Sequence, residues 1–357
     1  MKWTMVCAVA IGALAGCGDS GGGGVSDATG DALTGDSLGG DALVDTTGGG
    51  PAPVVDPGCI DGQYVEALPP ADADISGLKS AYSAAGYKQF VLDVLGVRYP
   101  VGRWIVDNGL QSDAFGGQDC VDTFIGDKSS AAGVIRQLST LVHECGHFYD
   151  IDLGFFDANY AITPDLTLKC QGGGAPQNGG AVGQGQTFAR SRINGDDWAA
   201  LRPACVGFGG SGCDFYANTY LDGDPDDATF DGGDQGFDSL LEETVQYVNS
   251  LATGYAFADH YSGSVSERDG ILTFLWYVER YLQLARTDYP EVYQRLSQNA
   301  CWQQAILTVW GRAWTYLDAT EGNGALGLDD GAIEQLVLEP ELLGEIGRIR
   351  QAAGCGG

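Results

Sequence analysis

Two of the chain's three histidines stand four residues apart in Leu141-Val142-His143-Glu144-Cys145-Gly146-His147-Phe148-Tyr149-Asp150, with a glutamate between them. Residues i and i+4 of a helix stack on one face, so both imidazoles can grip one metal ion while Glu144 faces its open coordination position. At about 100° per residue from His143, the residues Val134, Leu138, Leu141 and Cys145 cluster on the opposite side, flanked by Ile135, Val142 and Phe148. That side is the core-facing stripe. His143, His147 and Asp150 share the other side, where a cleft would need them, and Ser129 or Ser130 is placed to cap the helix.

A metal and a carboxylate base beside one water are the parts of a hydrolase. Catalytic zinc sites use three protein ligands and leave a fourth position for water, so a third ligand is required. A third histidine six residues after His147 is excluded, because Leu153 stands there. The better source is Phe237 to Ala252, an amphipathic helical pattern bearing Glu242 and Glu243. Leu241, Val245, Val248, Ala252 and Tyr255 define its apolar stripe. Glu242 lies about 100° from the stripe centre and Glu243 nearly opposite, which places Glu242 at the core boundary and Glu243 toward solvent. Glu242 is therefore the expected ligand, with Asp238, Gln246 and Asn249 on its polar flank to orient the ligands.

His143-Glu144-x-Gly146-His147-x-x-Asp150, followed about a hundred residues later by a helix bearing Glu242, resembles the gluzincin branch of zinc metallopeptidases, nearest the lethal-factor-like group. The resemblance covers two segments. It implies that His143, His147 and Glu242 bind zinc, that Glu144 is the general base, and that Asp150 steadies the active-site helix. Members of that group carry an acid four residues after the glutamate ligand, and here that position is Gln246. An amide oxygen can still accept a proton from a ligand imidazole but adds no charge. His260 is the expected catalytic partner for the oxyanion, with Tyr220, Tyr255 and Tyr261 as alternatives.

The N-terminus reads as Met1-Lys2, an apolar run from about Val6 to Leu14, then Leu14-Ala15-Gly16-Cys17-Gly18. This resembles a bacterial lipoprotein signal peptide over residues 1–16. It implies lipidation at Cys17 and a protein held at the outer membrane or cell surface by that anchor alone. No other segment has eighteen unbroken apolar residues, so no membrane-spanning helix is expected. Residues 17–58, rich in Gly, Ala, Thr and Asp, lack Lys, Arg and aromatic residues, and read as a flexible tether. Residues 59–357 are long enough for one large domain or two lobes sharing a cleft.

The net charge of −30 excludes nucleic acid as a partner and disfavours anionic lipid headgroups. With Cys7 in the signal and Cys17 at the anchor, eight of the ten cysteines remain, an even number that reads as disulfides in an exported chain. Cys205–Cys213 and Cys59–Cys355 are the expected pairs. Cys145 faces away from the metal and reads as a core thiol or buried half-cystine.

Asp165 to Cys170 and Gln186 to Ile193 read as short strands joined by a Gly-rich linker, Gln171 to Gly185, either a flap or a surface insertion. The carboxylates of Asp222, Asp224, Asp226, Asp227, Asp231, Asp234 and Asp238 suit calcium as a second cation, although the run lacks the EF-hand glycine and glutamate. Asp269 to Ala285, Gln303 to Leu317 and Glu341 to Ala352 repeat the helical period, with Pro290 and Pro340 at helix starts. The expected fold is α+β, a zincin-like lobe with a short sheet and the His143 helix, completed by a mainly helical C-terminal lobe. The expected activity is zinc-dependent hydrolysis of a protein or peptide substrate, endopeptidase action being favoured. A degenerate zincin, binding metal as a surface or interaction module, is the alternative.

Overall fold

The computed structural model describes residues 52–154, 158–170, 236–288 and 290–355. Among these, the fold is mostly helical with one two-stranded sheet. Before the motif come α1 (Ile60–Gln63), α2 (Ser76–Ser80), α3 (Tyr87–Arg98), α4 (Pro100–Gly109), α5 (Ala114–Gly117), α6 (Cys120–Phe124) and α7 (Ala131–Ile135). The motif lies on α8 (Leu138–Leu153), followed by strands β1 (Ala158–Thr163) and β2 (Leu166–Cys170). Then follow α9 (Gly236–Phe257), α10 (Glu267–Asp288), α11 (Pro290–Ser297), α12 (Ala300–Ala319), α13 (Asp330–Val337) and α14 (Pro340–Ala352).

The stripe expected on the His143 helix is the core. Val134, Ile135, Leu138, Leu141, Val142, Cys145 and Phe148 are all buried. The capping differs from expectation, because Ser130 Oγ accepts from Gly133 N and caps α7, a separate turn that ends before α8 begins. α9 runs through the middle of the fold, packed by α8, α10 and α12. One hydrophobic cluster joins residues from Cys59 to Ile349, so the two expected lobes share a core. Pro100, Pro290 and Pro340 each open a helix, where a missing N–H costs nothing.

β1 and β2 pair antiparallel, with Tyr160 opposite Leu168. The hairpin is tied to α8 by Asp150, whose Oδ1 accepts from Ala161 N at 2.9 Å. Three disulfides lie among the described residues. Cys59–Cys355 joins the two ends as expected, Cys120–Cys145 makes Cys145 a half-cystine and fastens α8 to α6, and Cys170–Cys301 fastens β2 to α12.

The packed unit begins at Ala52, earlier than the expected boundary at 59. The carbonyls of Pro53 and Val54 accept from Arg350, and Val54 also accepts from the indole of Trp310, so the backbone of this stretch is held by the fold. The expected signal peptide, Cys17, the rest of the tether, the Gln171–Gly185 linker, the Gln186–Ile193 strand and Cys205–Cys213 lie outside the described residues. So does the acidic loop, apart from Asp238. No described helix is long and apolar enough to cross a membrane.

Candidate metal centre

α8 and α9 bring together one Nε2 from each of His143 and His147 and one carboxylate oxygen of Glu243, all within 4.8 Å of one another. Glu243 Oε2 lies 3.5 Å from each Nε2. Ligands about 2.0–2.1 Å from a tetrahedral ion stand about 3.3–3.4 Å apart, so these two edges have the size a tetrahedral site needs. Two imidazoles and one carboxylate form a donor set that can hold a metal ion.

Glu242, the expected ligand, is elsewhere. Its carboxylate oxygens lie 2.8 and 2.9 Å from Nδ1 of His147, on the far side of the ring from Glu243. The assignment therefore moves one residue along α9. Glu243, expected toward solvent, is only 15% exposed at its side chain. The physical reason is that α9 has no fully exposed face along this stretch: its most open residues, Asp238, Ser239, Glu242 and Glu243, are half-buried on one face. Phe237, Leu240, Leu241, Thr244, Val245, Gln246, Tyr247, Val248, Asn249 and Ser250 are all buried. A phase angle measured from one apolar stripe loses its meaning when the polar side is also covered.

Glu242 gains a different role. In the neutral ring, a carboxylate at Nδ1 makes that nitrogen the N–H donor and leaves the Nε2 lone pair facing Glu243 and His143, as ligation requires. Gln246 Nε2 donates to Glu242 Oε1 at 2.9 Å and to Asp150 Oδ2 at 3.0 Å, and Asn249 Nδ2 donates to Gln246 Oε1 at 2.9 Å. The expected polar flank of Gln246 and Asn249 is thus in place behind Glu242. His143 is oriented by Ser250 Oγ, 3.3 Å from its Nδ1. Ser250 was not anticipated from sequence, although it sits seven residues after Glu243 and so shares its helix face.

Gly146 explains how the two helices come so close. A Cβ there would stand 1.9 Å from Gln246 Oε1, so any larger residue would displace the amide from its present position. Tyr247 closes another side, its ring edge-on to His143 with centroids 4.8 Å apart.

Burial disfavours a charged His147, but the carboxylates of Glu242 and Glu243 outweigh it and raise its pKa well above the ordinary imidazole value. Burial raises the pKa of Glu144, opposed by the neighbouring His143 and His147. Burial and the adjacent Glu242 carboxylate hold that of Asp150 well above the usual range.

His260 is not brought to this cluster. Fourteen residues of α9 separate Glu243 from Phe257, about 21 Å at 1.5 Å per residue, and His260 follows in a further turn. Its Nδ1 faces Lys79 Nζ at 3.4 Å and its Nε2 lies 3.8 Å from Asp259. Of the tyrosines, Tyr220 lies outside the described residues and Tyr255 packs against Tyr316. Tyr261 lies against Ser139, one turn before His143, with burial raising its pKa.

Comparisons with protein-family models, curated proteins and solved structures find no match.

Proposed function

We propose that the chain is a zinc-dependent peptidase of zincin type, in which His143, His147 and Glu243 hold the ion and Glu144 is the general base. The observation that carries this reading is the convergence of three ligand atoms beside a glutamate on the same helix. A bound zinc ion would supply Lewis acidity toward a peptide carbonyl. Glu144, adjacent in sequence to His143, takes a proton from water and passes it to the leaving amine. Its raised pKa suits a group that must both accept and return a proton. Glu242 fixes the ring of His147, and Ser250 that of His143. In this reading α8 and the β1–β2 hairpin correspond to the zincin-like lobe, and α10 to α14 to the helical lobe.

Export as a lipoprotein anchored at Cys17 belongs to the same proposal. It is supported by the signal-like N-terminus and by disulfides, which persist in oxidising compartments.

The test compares the full chain with its Glu144→Ala variant for zinc content and for cleavage of an unbiased peptide library. We expect one zinc per chain in both and cleavage in the parent, reduced about 10²–10⁴-fold in the variant. Stoichiometric zinc with no cleavage by the parent would leave a metal-binding module. A parent that binds no zinc would overturn the reading altogether.

A further inference from the structure

Arg312 on α12 is 1% exposed, far from any role the proposed hydrolysis assigns. Its Nε donates to Glu66 Oε2 at 2.7 Å, and an Nη donates to the hydroxyl of Tyr99 at 3.1 Å. Glu66 in turn accepts from Tyr64 at 2.6 Å and from Tyr316 at 2.7 Å. Burial opposes the charge of Glu66, but Arg312 and these donors outweigh it and lower its pKa. Buried ion pairs of this kind add little to stability relative to apolar residues of the same volume. The guanidinium therefore calls for another explanation, and its remaining contact supplies one, since its other Nη donates to Asn249 Oδ1 at 2.8 Å.

We propose that Arg312 is a positioning residue for the metal centre, setting through Asn249 and Gln246 the hydrogen-bond direction that holds Glu242 against His147 Nδ1. The proposal rests on the reading that His143, His147 and Glu243 hold a metal.

The direction of each hydrogen bond is set by what each group can donate or accept. A guanidinium only donates, so Asn249 must present its oxygen to Arg312 and its NH₂ to Gln246. Gln246 must then meet that NH₂ with its own oxygen. Its NH₂ is left to donate to both Glu242 and Asp150, at the distances observed. Glu242 receives that donor on Oε1 and keeps its carboxylate for His147 Nδ1. Reversing either amide would set donor against donor or oxygen against oxygen at a buried contact, and each such unmet group is costly in a low-dielectric interior. Three of the links are on α9 itself, at Glu242, Gln246 and Asn249. Their spacing of four and three residues puts them on one helix face. Gly146 on α8 leaves the space Gln246 occupies. The chain of contacts therefore runs from Glu66, through the helix bundle, to the far nitrogen of a metal ligand.

Removing Arg312 outright would leave Glu66 buried and unpaired, so the decisive variants are at Asn249. Asn249→Asp keeps an acceptor for Arg312 but cannot donate to Gln246. Asn249→Ala removes the contacts to Arg312, Gln246 and the Tyr99 hydroxyl, and some packing. The experiment measures zinc affinity of the full chain and both variants by competition with a chromogenic chelator, alongside their thermal unfolding. Positioning through the relay predicts zinc affinity about 10–100-fold weaker in Asn249→Asp. It also predicts that Asn249→Asp binds zinc more weakly than Asn249→Ala while unfolding at the higher temperature.

A purely structural role gives matching orders, with the alanine variant worse in both. That result, or parent-like affinity in Asn249→Asp, would overturn the relay while leaving the metal site standing. If Asn249→Asp does not fold, a loss of zinc affinity of about tenfold or more in Asn249→Ala with parent-like thermal unfolding supports it, and parent-like affinity, or affinity and unfolding lost together, overturns it. A parent that binds no zinc removes the metal site and the relay together.

Discussion

Among the described residues, two of the seams that bury carboxylates, between α8 and α9 and between α10 and α14, treat them differently. In the first, Asp150, Glu242 and Glu243 sit among two imidazoles and a glutamine amide, with donor atoms converging on one point. In the second, Glu345 is fully buried and takes three hydrogen bonds from Arg286, at 2.7, 2.9 and 3.1 Å. Glu279 beside it is also fully buried, and neither of its oxygens has a hydrogen-bond partner among the described residues. Burial of an acid is therefore not the mark of a site. What distinguishes the α8–α9 seam is convergence, in which several groups of complementary chemistry address one point and others behind them fix their orientation.

The sharpest way to break that distinction is to remove the two glutamates of α9 separately. Glu243→Ala deletes one of three ligand atoms and should abolish stoichiometric zinc binding. Glu242→Ala deletes a group that orients His147 and should weaken zinc about 10–100-fold while leaving the three ligands present. Zinc affinity measured by chelator competition distinguishes them. The reverse ranking would restore Glu242 as ligand and return the seam to an ordinary cluster of buried acids.

The α8 half of the site was legible because the spacing of His143 and His147 and the stripe from Val134 to Phe148 report the same helix phase. The α9 half was legible only as a helix bearing acids. One residue along a helix is a rotation of about 100°, and sequence can choose between neighbours only when one face meets water. α9 is covered by α8, α10 and α12, so nothing in its pattern distinguished Glu242 from Glu243. β1 was missed for the same reason. Ala158, Asn159, Tyr160, Ala161 and Ile162 are all buried, so no alternation of apolar and polar residues announces a strand. His260 was singled out as the remaining histidine, and scarcity carries no information about distance.

Close approach is the second term of the comparison, and Gly146 tests it. Gly146→Ala places a methyl group where Gln246 now lies, so the amide must withdraw from Glu242 and Asp150. Overpacking of this kind costs about 1–3 kcal/mol, measurable as a shift of the denaturant midpoint. Zinc affinity should fall about tenfold with it, by the loss of an orienting partner. Lost stability with unchanged affinity would mean that the seam's packing and its ligand orientation are independent.

The smallest expected effect concerns the other seam and is read against pH. Burial raises the pKa of Glu279 well above its ordinary value, and the nearby Glu345 and Glu339 add to the shift. Arg286 does not offset this, since it is engaged with Glu345. A carboxyl whose folded pKa exceeds its unfolded value of about 4.3 binds more protons in the folded state. Its contribution to stability is complete below the unfolded pKa and is lost as pH rises toward the folded one, with a limiting slope of about 1.4 kcal/mol per pH unit for one proton. Glu144, Asp150, Glu267 and Asp269 are shifted the same way, chiefly by burial, while Glu66, Asp122 and Asp259 are shifted downward beside their cationic partners, so the parent's curve is a sum and only a difference isolates Glu279. Glu279→Gln cannot titrate. Its unfolding free energy, measured in denaturant from pH 4 upward, should fall less steeply than the parent's and gain on it as pH rises. Parallel curves would mean that Glu279 has found a compensating partner, and the contrast between the two seams would be lost.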